Sequence, residues 1–221
     1  MRVSSHTKEK IPRVRVELDG ASVVLPEQMD SSLVAIRAYL EFLALQKRRV
    51  LSGFLVDGID VRQIRAKAET DHGFQTIQAD TITFEQLSFR LVDTACRQLH
   101  KLSEEMGDAV LRVLITDRDP IHRQWRLWVP QFRNPLVSLG FLRELWGGQV
   151  DDVVIGGTTL TDHLDELNPL LCEVDAIFLA TEHDWVDEDA MAISALLEDQ
   201  LVPWLKMLEV YLLKLNTLPL E

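Results

Sequence analysis

Three observations predict an α+β fold, with a small sheet-forming unit over residues 12–80 followed by a mostly α-helical region over 83–221. The first stretch alternates polar and apolar residues with period two, Asp-Gly dipeptides interrupt it twice, and from residue 83 onward apolar residues recur every three or four positions. A chain of 221 residues that is 47% hydrophobic has the material for a real core and is too apolar for disorder.

Residues 1–11 are polar and without period, and read as a loose tail. Arg13 to Leu18 alternates, which puts Val14, Val16 and Leu18 on one face of a half-buried strand. Asp19-Gly20 supplies the positive φ angles of a two-residue hairpin, and Ala21 to Leu25 reads as the return strand. Asp30-Ser31-Ser32 then offers N-cap oxygens ahead of Leu33, Ile36, Leu40 and Leu43, the spacing of a helix to about Lys47. Its end carries Lys47-Arg48-Arg49, placed to meet the negative pole of the helix dipole. Val50 to Val56 is a second strand, Asp57-Gly58 a second hairpin turn, Ile59 to Val61 a short return, and Phe74 to Gln78 a closing strand; Arg62 to Gly73 fits helix or loop equally. The order hairpin, helix, hairpin, strand resembles the ubiquitin-like β-grasp topology, in which one helix lies across a mixed sheet. The resemblance covers residues 12–80 and concerns topology alone.

Thr83 and Gln86 are spaced as a capping box. Phe84, Leu87, Leu91, Ala95, Leu99, Leu102 and Met106 form the apolar stripe of a long helix that Gly107 is expected to close, with a shorter apolar piece, Ala109 to Ile115, after it. Asp119-Pro120, Asn134-Pro135 and Asn168-Pro169 each read as a capping residue followed by proline at the first helical position. Gly147-Gly148 stops the helix begun at Pro135, and Gly156-Gly157 turns the chain after Val153 to Ile155, an isolated strand. The last helix is expected to start among Asp184 to Asp189 and to kink at Pro203. Ile193, Leu197, Leu201, Trp204, Leu208, Tyr211 and Leu215 keep one stripe through that proline. Beyond it the helix is apolar on more than one face, which predicts burial between layers or subunits.

The net charge of -12 arises entirely in residues 144–221, where Lys206 and Lys214 are the only basic side chains besides histidines, the rest of the chain being slightly basic. Such a stretch repels phosphate and anionic lipid and favours basic partners or cations where its charges converge. The longest apolar concentration, Trp204 to Leu215, is too short for a membrane span. Cys96 and Cys172 lie among apolar neighbours and no apolar leader core opens the chain, which predicts a reducing cytoplasm.

Four groupings carry chemical potential. Asp93, Cys96 and His100 share one helix surface, the arrangement of a nucleophile and its base, but Cys96 borders the apolar stripe and reads as a small buried hydrophobe. Glu182, His183, Asp184 and Asp187, with His163 as a second arm, are the oxygen and imidazole ligands that a divalent metal accepts; no HExxH or EF-hand spacing accompanies them, and a dipole-matched helix start explains the acids. Arg118, Arg123, Arg126 and Arg133 interleave with Trp125, Trp128 and Phe132, a mixture used on single strands, yet those aromatics also keep the spacing of a core stripe, so a nucleic-acid partner is not expected. Glycine pairs lack the lysine and spacing of a phosphate loop. No catalytic residue stands out.

These readings favour a non-enzymatic cytoplasmic protein-interaction module, a scaffold, adaptor or assembly factor that self-associates or holds a protein partner, without cofactor or membrane. Trp204, Met207 and Tyr211 of the last helix, with Arg123 and Arg126, are the expected partner surface. The alternative is a metal-assisted enzyme of unfamiliar type using the carboxylates and imidazoles of residues 162–189.

Overall fold

A computed structural model of the chain describes residues 14–61, 73–115, 118–181 and 185–217. The chain is α+β and divides into two compact units, Met1–Leu87 and Ser88–Glu221. The expected tail over residues 1–11, and all of the undecided segment after Val61 except Gly73, lie outside the described residues. No helix among the described residues is long and apolar enough to cross a membrane.

The first unit is a five-stranded mixed sheet with one helix on it. Its strands are β1 (Arg15–Leu18), β2 (Ala21–Val23), β3 (Arg49–Val56), β4 (Ile59–Asp60) and β5 (Thr76–Thr83), with α1 (Leu33–Leu45) between the two hairpins. The strand order is β2-β1-β5-β3-β4, and β1 runs parallel to β5 while the other pairs are antiparallel. Period-two alternation sends Val16, Leu18, Phe54, Val56, Ile77 and Ala79 to one face, where Leu33, Ile36 and Leu40 of α1 cover them. Ser32 caps α1, its hydroxyl accepting from the Ala35 amide at 3.4 Å.

Both hairpin turns have positive φ at each central residue, 51° and 76° at Asp19-Gly20 and 48° and 81° at Asp57-Gly58. Aspartate at the first turn position does more than tolerate that geometry. The Asp57 carboxylate accepts from the amides of Gln75 and Thr76, the latter at 2.7 Å, and Asp19 accepts from the amide and hydroxyl of Thr81, both at 2.7 Å. The two turns thus clamp β5 near both of its ends. At Asp57 the Thr76 amide bond is the main reason the carboxyl titrates below its usual range; at Asp19 burial pushes upward, but the Thr81 bonds with Arg49 and Lys47 bring it below as well.

The basic run after α1 departs from expectation. No basic side chain lies in the last turn of α1; Arg48 takes the left-handed conformation at φ 54°, and Arg49 opens β3. The Arg49 guanidinium bonds to the hydroxyl and carbonyl of Thr81 rather than to helix carbonyls. β5 is also longer than expected and runs straight into Thr83, whose hydroxyl accepts from the Gln86 amide while its own amide donates to the Gln86 side chain.

That box starts α2 (Phe84–Val113), which Gly107 does not end. A mid-helix glycine costs about 1 kcal/mol relative to alanine, and the buried stripe continues past it through Ala109, Val110 and Val113. The expected separate piece is therefore the last turns of α2. Then come α3 (Arg118–Trp128), a 3₁₀ turn Val129–Phe132, α4 (Arg133–Trp146), a short hairpin of β6 (Val154–Ile155) and β7 (Thr158–Thr159), α5 (Leu160–Asp165), α6 (Leu167–Ala180), α7 (Asp187–Ala195) and α8 (Val202–Leu215). Prolines 120, 135 and 169 each fall at the third helical residue rather than the first, and neither Asn134 nor Asn168 is an N-cap. The first-turn amides lack intrahelical acceptors, so a proline is tolerated at that depth too.

Gly147 stops α4 at φ 63°, and Gly156-Gly157, at φ 62° and 92°, make Val154–Ile155 one arm of a hairpin instead of an isolated strand. Between α7 and α8 the chain stays helical through a π turn, Leu196–Leu201, in which the Val202 amide reaches the Leu197 carbonyl. The widened turn precedes Pro203 and takes up its missing donor, so the stripe from Ile193 to Leu215 is buried without a break.

Candidate functional site

The sequence-predicted residues that come together do so in a cavity of about 630 Å³ in the helical unit, lined by His163, Glu166, Glu173, Asp199, Trp204, Met207 and Tyr211 among others. Four local devices build it. The β6–β7 hairpin delivers Thr159, which starts α5 with a capping box: its hydroxyl accepts from the Asp162 amide at 3.0 Å and its amide donates to the Asp162 carboxylate at 3.4 Å. His163 follows directly. α6 contributes Pro169, Leu170 and Glu173, the π turn contributes Asp199 and Gln200, and α8 presents Trp204, Met207 and Tyr211 at intervals of three and four.

His163 joins α5 to α8. Its ring stacks on Trp204 with centroids 4.9 Å apart and lies 5.3 Å from Tyr211. The Trp204 indole donates to the His163 carbonyl at 2.7 Å, and the His163 Nε2 stands 3.0 Å from the Trp204 carbonyl. A carbonyl only accepts, so Nε2 carries the proton and the neutral ring keeps its lone pair on Nδ1, 3.6 Å from a Glu166 carboxylate oxygen. Burial is the main reason His163 titrates below its usual value, against the upward pull of the Trp204 carbonyl and Glu166. Tyr211 donates to the Thr158 carbonyl at 2.7 Å, and burial raises its phenol.

Three carboxylates, Glu166, Glu173 and Asp199, therefore share one cavity with a histidine that favours the neutral form, and among the described residues no lysine or arginine lines it. Among the described residues neither Glu173 nor Asp199 has an ion-pair partner. A negative field with no counter-charge among the described lining residues, over the partly exposed Met207 thioether, attracts cationic groups.

The expected partner surface is divided by the fold. Trp204 is 3% exposed and Tyr211 0%, both in the core of their own unit, while Met207 is 41% exposed. The all-round apolar character of α8 is thereby used up largely within the unit, where Leu205 and Leu212 are also buried, leaving Met207, Val210 and Leu213 outward. Arg123 and Arg126 lie elsewhere, on α3, and Arg126 lines a different cavity. Of the expected metal ligands, His163 is buried as described and Asp187 is exposed at the start of α7; Glu182, His183 and Asp184 lie outside the described residues. Among the described residues no three histidine, cysteine or carboxylate groups are placed to hold a metal ion together.

Two other groupings resolve as packing. The Cys96 thiol is pushed up to about 11 by burial first and by Glu209 and Asp93 after it, the opposite of an activated nucleophile. Asp93 pairs with Arg97 and His100 with Glu104, so neither is bonded to the thiol. Trp125, Trp128 and Phe132 are buried, with the Trp125 indole on Asp175 at 2.7 Å and that of Trp128 on Glu105 at 3.1 Å, so they offer no stacking faces. The contributions of Glu173 and Asp199 escaped the sequence reading. Each is an ordinary exposed acid on its own helix, and the unit's charge imbalance was the only signal pointing toward them. Comparison of the chain with protein-family models, with curated proteins and with solved structures finds no match.

Proposed function

We propose that the chain is a protein-interaction module whose helical unit takes a lysine- or arginine-bearing segment of a protein partner at the cavity of Glu166, Glu173 and Asp199. The observation that carries this reading is that three carboxylates line one cavity whose described lining includes no lysine or arginine. A cationic side chain gains there from charge, from the apolar surface of Pro169, Leu170 and Met207 along its methylene stem, and from the Nδ1 lone pair of His163 as an acceptor. The inert Cys96 thiol and the buried indoles of α3 favour binding over catalysis. On the same reading the N-terminal unit is a β-grasp-like module, supported by its strand order and the parallel pairing of β1 with β5.

Calorimetric titration of the full chain with a peptide of alternating lysine and alanine, and with its glutamate counterpart, tests the proposal. The basic peptide is expected to bind and to weaken with added salt, and the Glu173→Gln/Asp199→Asn double variant to lose about tenfold in affinity, the order for two partly exposed charge pairs of up to about 1 kcal/mol each. Equal binding of both peptides, or an unaffected double variant, defeats it. Metal-assisted chemistry keeps one supporting observation, the Nδ1 of His163 beside Glu166. It calls for a rise in melting temperature with Zn²⁺ or Mg²⁺ that His163→Gln abolishes.

A further inference from the structure

A second cavity, of about 760 Å³, opens on the other side of α6 and has the opposite electrostatic character. Its walls are Arg118, His122, Trp125 and Arg126 of α3, Val129 and Pro130, and Asp175, Phe178 and Leu179 of α6. Arg118 is the anomaly. Its side chain is only 16% exposed, and among the described residues its single ion-pair partner, Asp119, is 81% exposed at 3.3 Å and its buried Nε has no hydrogen-bond partner. One Nη donates to the Phe178 carbonyl at 2.6 Å, which fixes the guanidinium beside the cavity without neutralising it. A guanidinium held mostly out of water with its charge incompletely answered is costly, and such a group calls for an anion.

Arg126 adds a second positive charge and has no ion-pair partner among the described residues. Among the described residues the one carboxylate in the wall, Asp175, already accepts the Trp125 indole proton at 2.7 Å. His122 completes the polar side. It stacks on Phe178 with centroids 4.7 Å apart, and Phe178 stacks in turn on Trp185 at 6.1 Å. Val129, Pro130 and Leu179 close the cavity with apolar surface. In a chain of net charge -12 this is a positive pocket with an aromatic and aliphatic wall.

We infer that the cavity between α3 and α6 binds a small organic anion, an oxyanion head group held by Arg118 and Arg126 and a planar apolar body laid against the walls of Val129, Pro130 and Leu179. A guanidinium pair suits a carboxylate or a phosphate head equally through its fixed donor fork. The apolar wall excludes a bare inorganic ion as the best occupant. The site is independent of the acidic cavity and does not require a basic partner there.

Titration of the full chain with phenyl phosphate, benzoate, inorganic phosphate and phenol, followed by calorimetry and by the His122 ring-proton shifts, tests this. One or both aromatic anions are expected to bind at least tenfold more tightly than inorganic phosphate and phenol, and which of them is tighter assigns the head group. Arg126→Gln, at an exposed position, is expected to weaken that binding at least tenfold, while Arg123→Gln, on the same helix but outside the cavity, stays within twofold of the parent. Binding of neither aromatic anion overturns the inference, as does equal weakening by the two arginine variants. An oligonucleotide bound more tightly than either anion, with both variants weakened alike, overturns it in favour of a diffuse basic surface.

Discussion

The two cavities of the helical unit are built from the same kinds of parts and have opposite sign. Each holds one histidine against an aromatic ring, His163 on Trp204 and His122 on Phe178, and each is walled in part by α6. Glu173 of α6 faces the first, with Asp199 and Glu166; Asp175 of the same helix faces the second, spent on Trp125 and outnumbered by Arg118 and Arg126. The lesson is that charge segregation along a chain becomes functional only through the packing that sorts it. The acidic last third does not make one acidic surface, because α6 turns one face to its own acids and the other to the arginines of α3.

Removing the tryptophan floor of either cavity is the largest perturbation. Trp204→Ala and Trp125→Ala are each expected to cost about 3–5 kcal/mol in denaturant unfolding, since both indoles are buried and hydrogen-bonded. A cost below about 1 kcal/mol at Trp125 would mean that the basic cavity is a surface feature and not the counterpart of the acidic one. Next in size is a double dissociation in binding. The Glu173→Gln/Asp199→Asn variant should lose about tenfold for the basic peptide and stay within twofold for phenyl phosphate, and Arg126→Gln should do the reverse, as expected when each charge acts within its own site. Cross-effects of equal size would merge the two cavities into one electrostatic surface.

Protonation gives a smaller effect with the same sign at both sites. His163 and His122 both titrate below 6.5 in the folded chain, so the folded state binds fewer protons than the unfolded one in the window beneath that value. Their contribution to stability is complete above pH 6.5 and is lost as pH falls through the folded values. The melting temperature should therefore drop between pH 7.5 and pH 5, less steeply in His163→Gln, which keeps a donor for the Trp204 carbonyl. An unchanged slope in that variant would place the pH dependence elsewhere.

Local signals in the sequence carry the framework well. Asp19-Gly20 and Asp57-Gly58 mark both hairpins because only a few residues accept positive φ twice in succession, Thr83 and Gln86 mark the start of α2, and the stripe from Ile193 to Leu215 passes Pro203 intact. The misreadings arise where a distant partner outweighs a local preference. Gly107 lies within α2 because Ala109, Val110 and Val113 find a core to enter, and Arg49 leaves the helix end because Asp19 and Thr81 wait across the sheet. Val154 and Ile155 look isolated until Thr158 and Thr159 pair with them. The cavities were the least legible part. Their walls come from residues up to 56 positions apart in the first, Ile155 to Tyr211, and from α3, the 3₁₀ turn after it and α6 in the second, and no spacing rule within one helix links Glu173 to Asp199 or Arg118 to Phe178.

The finest test separates the two histidines by the origin of their shifts. Burial is the largest cause at both and is indifferent to salt. The remaining charge contributions oppose each other: Arg118 and Arg126 push His122 down, more than Asp175 and Asp119 pull it up, whereas Glu166 pulls His163 up. Raising ionic strength from about 0.01 M to about 1 M shortens the Debye length from about 30 Å to about 3 Å and weakens those interactions. His122 should then titrate higher and His163 lower, with the smaller response at the more buried His163 ring. Proton NMR of the two imidazoles across pH at both salt concentrations reads this directly. Movement of both in one direction would mean that the cavities share a single field, and the contrast between an acidic and a basic pocket would fail at its electrostatic root.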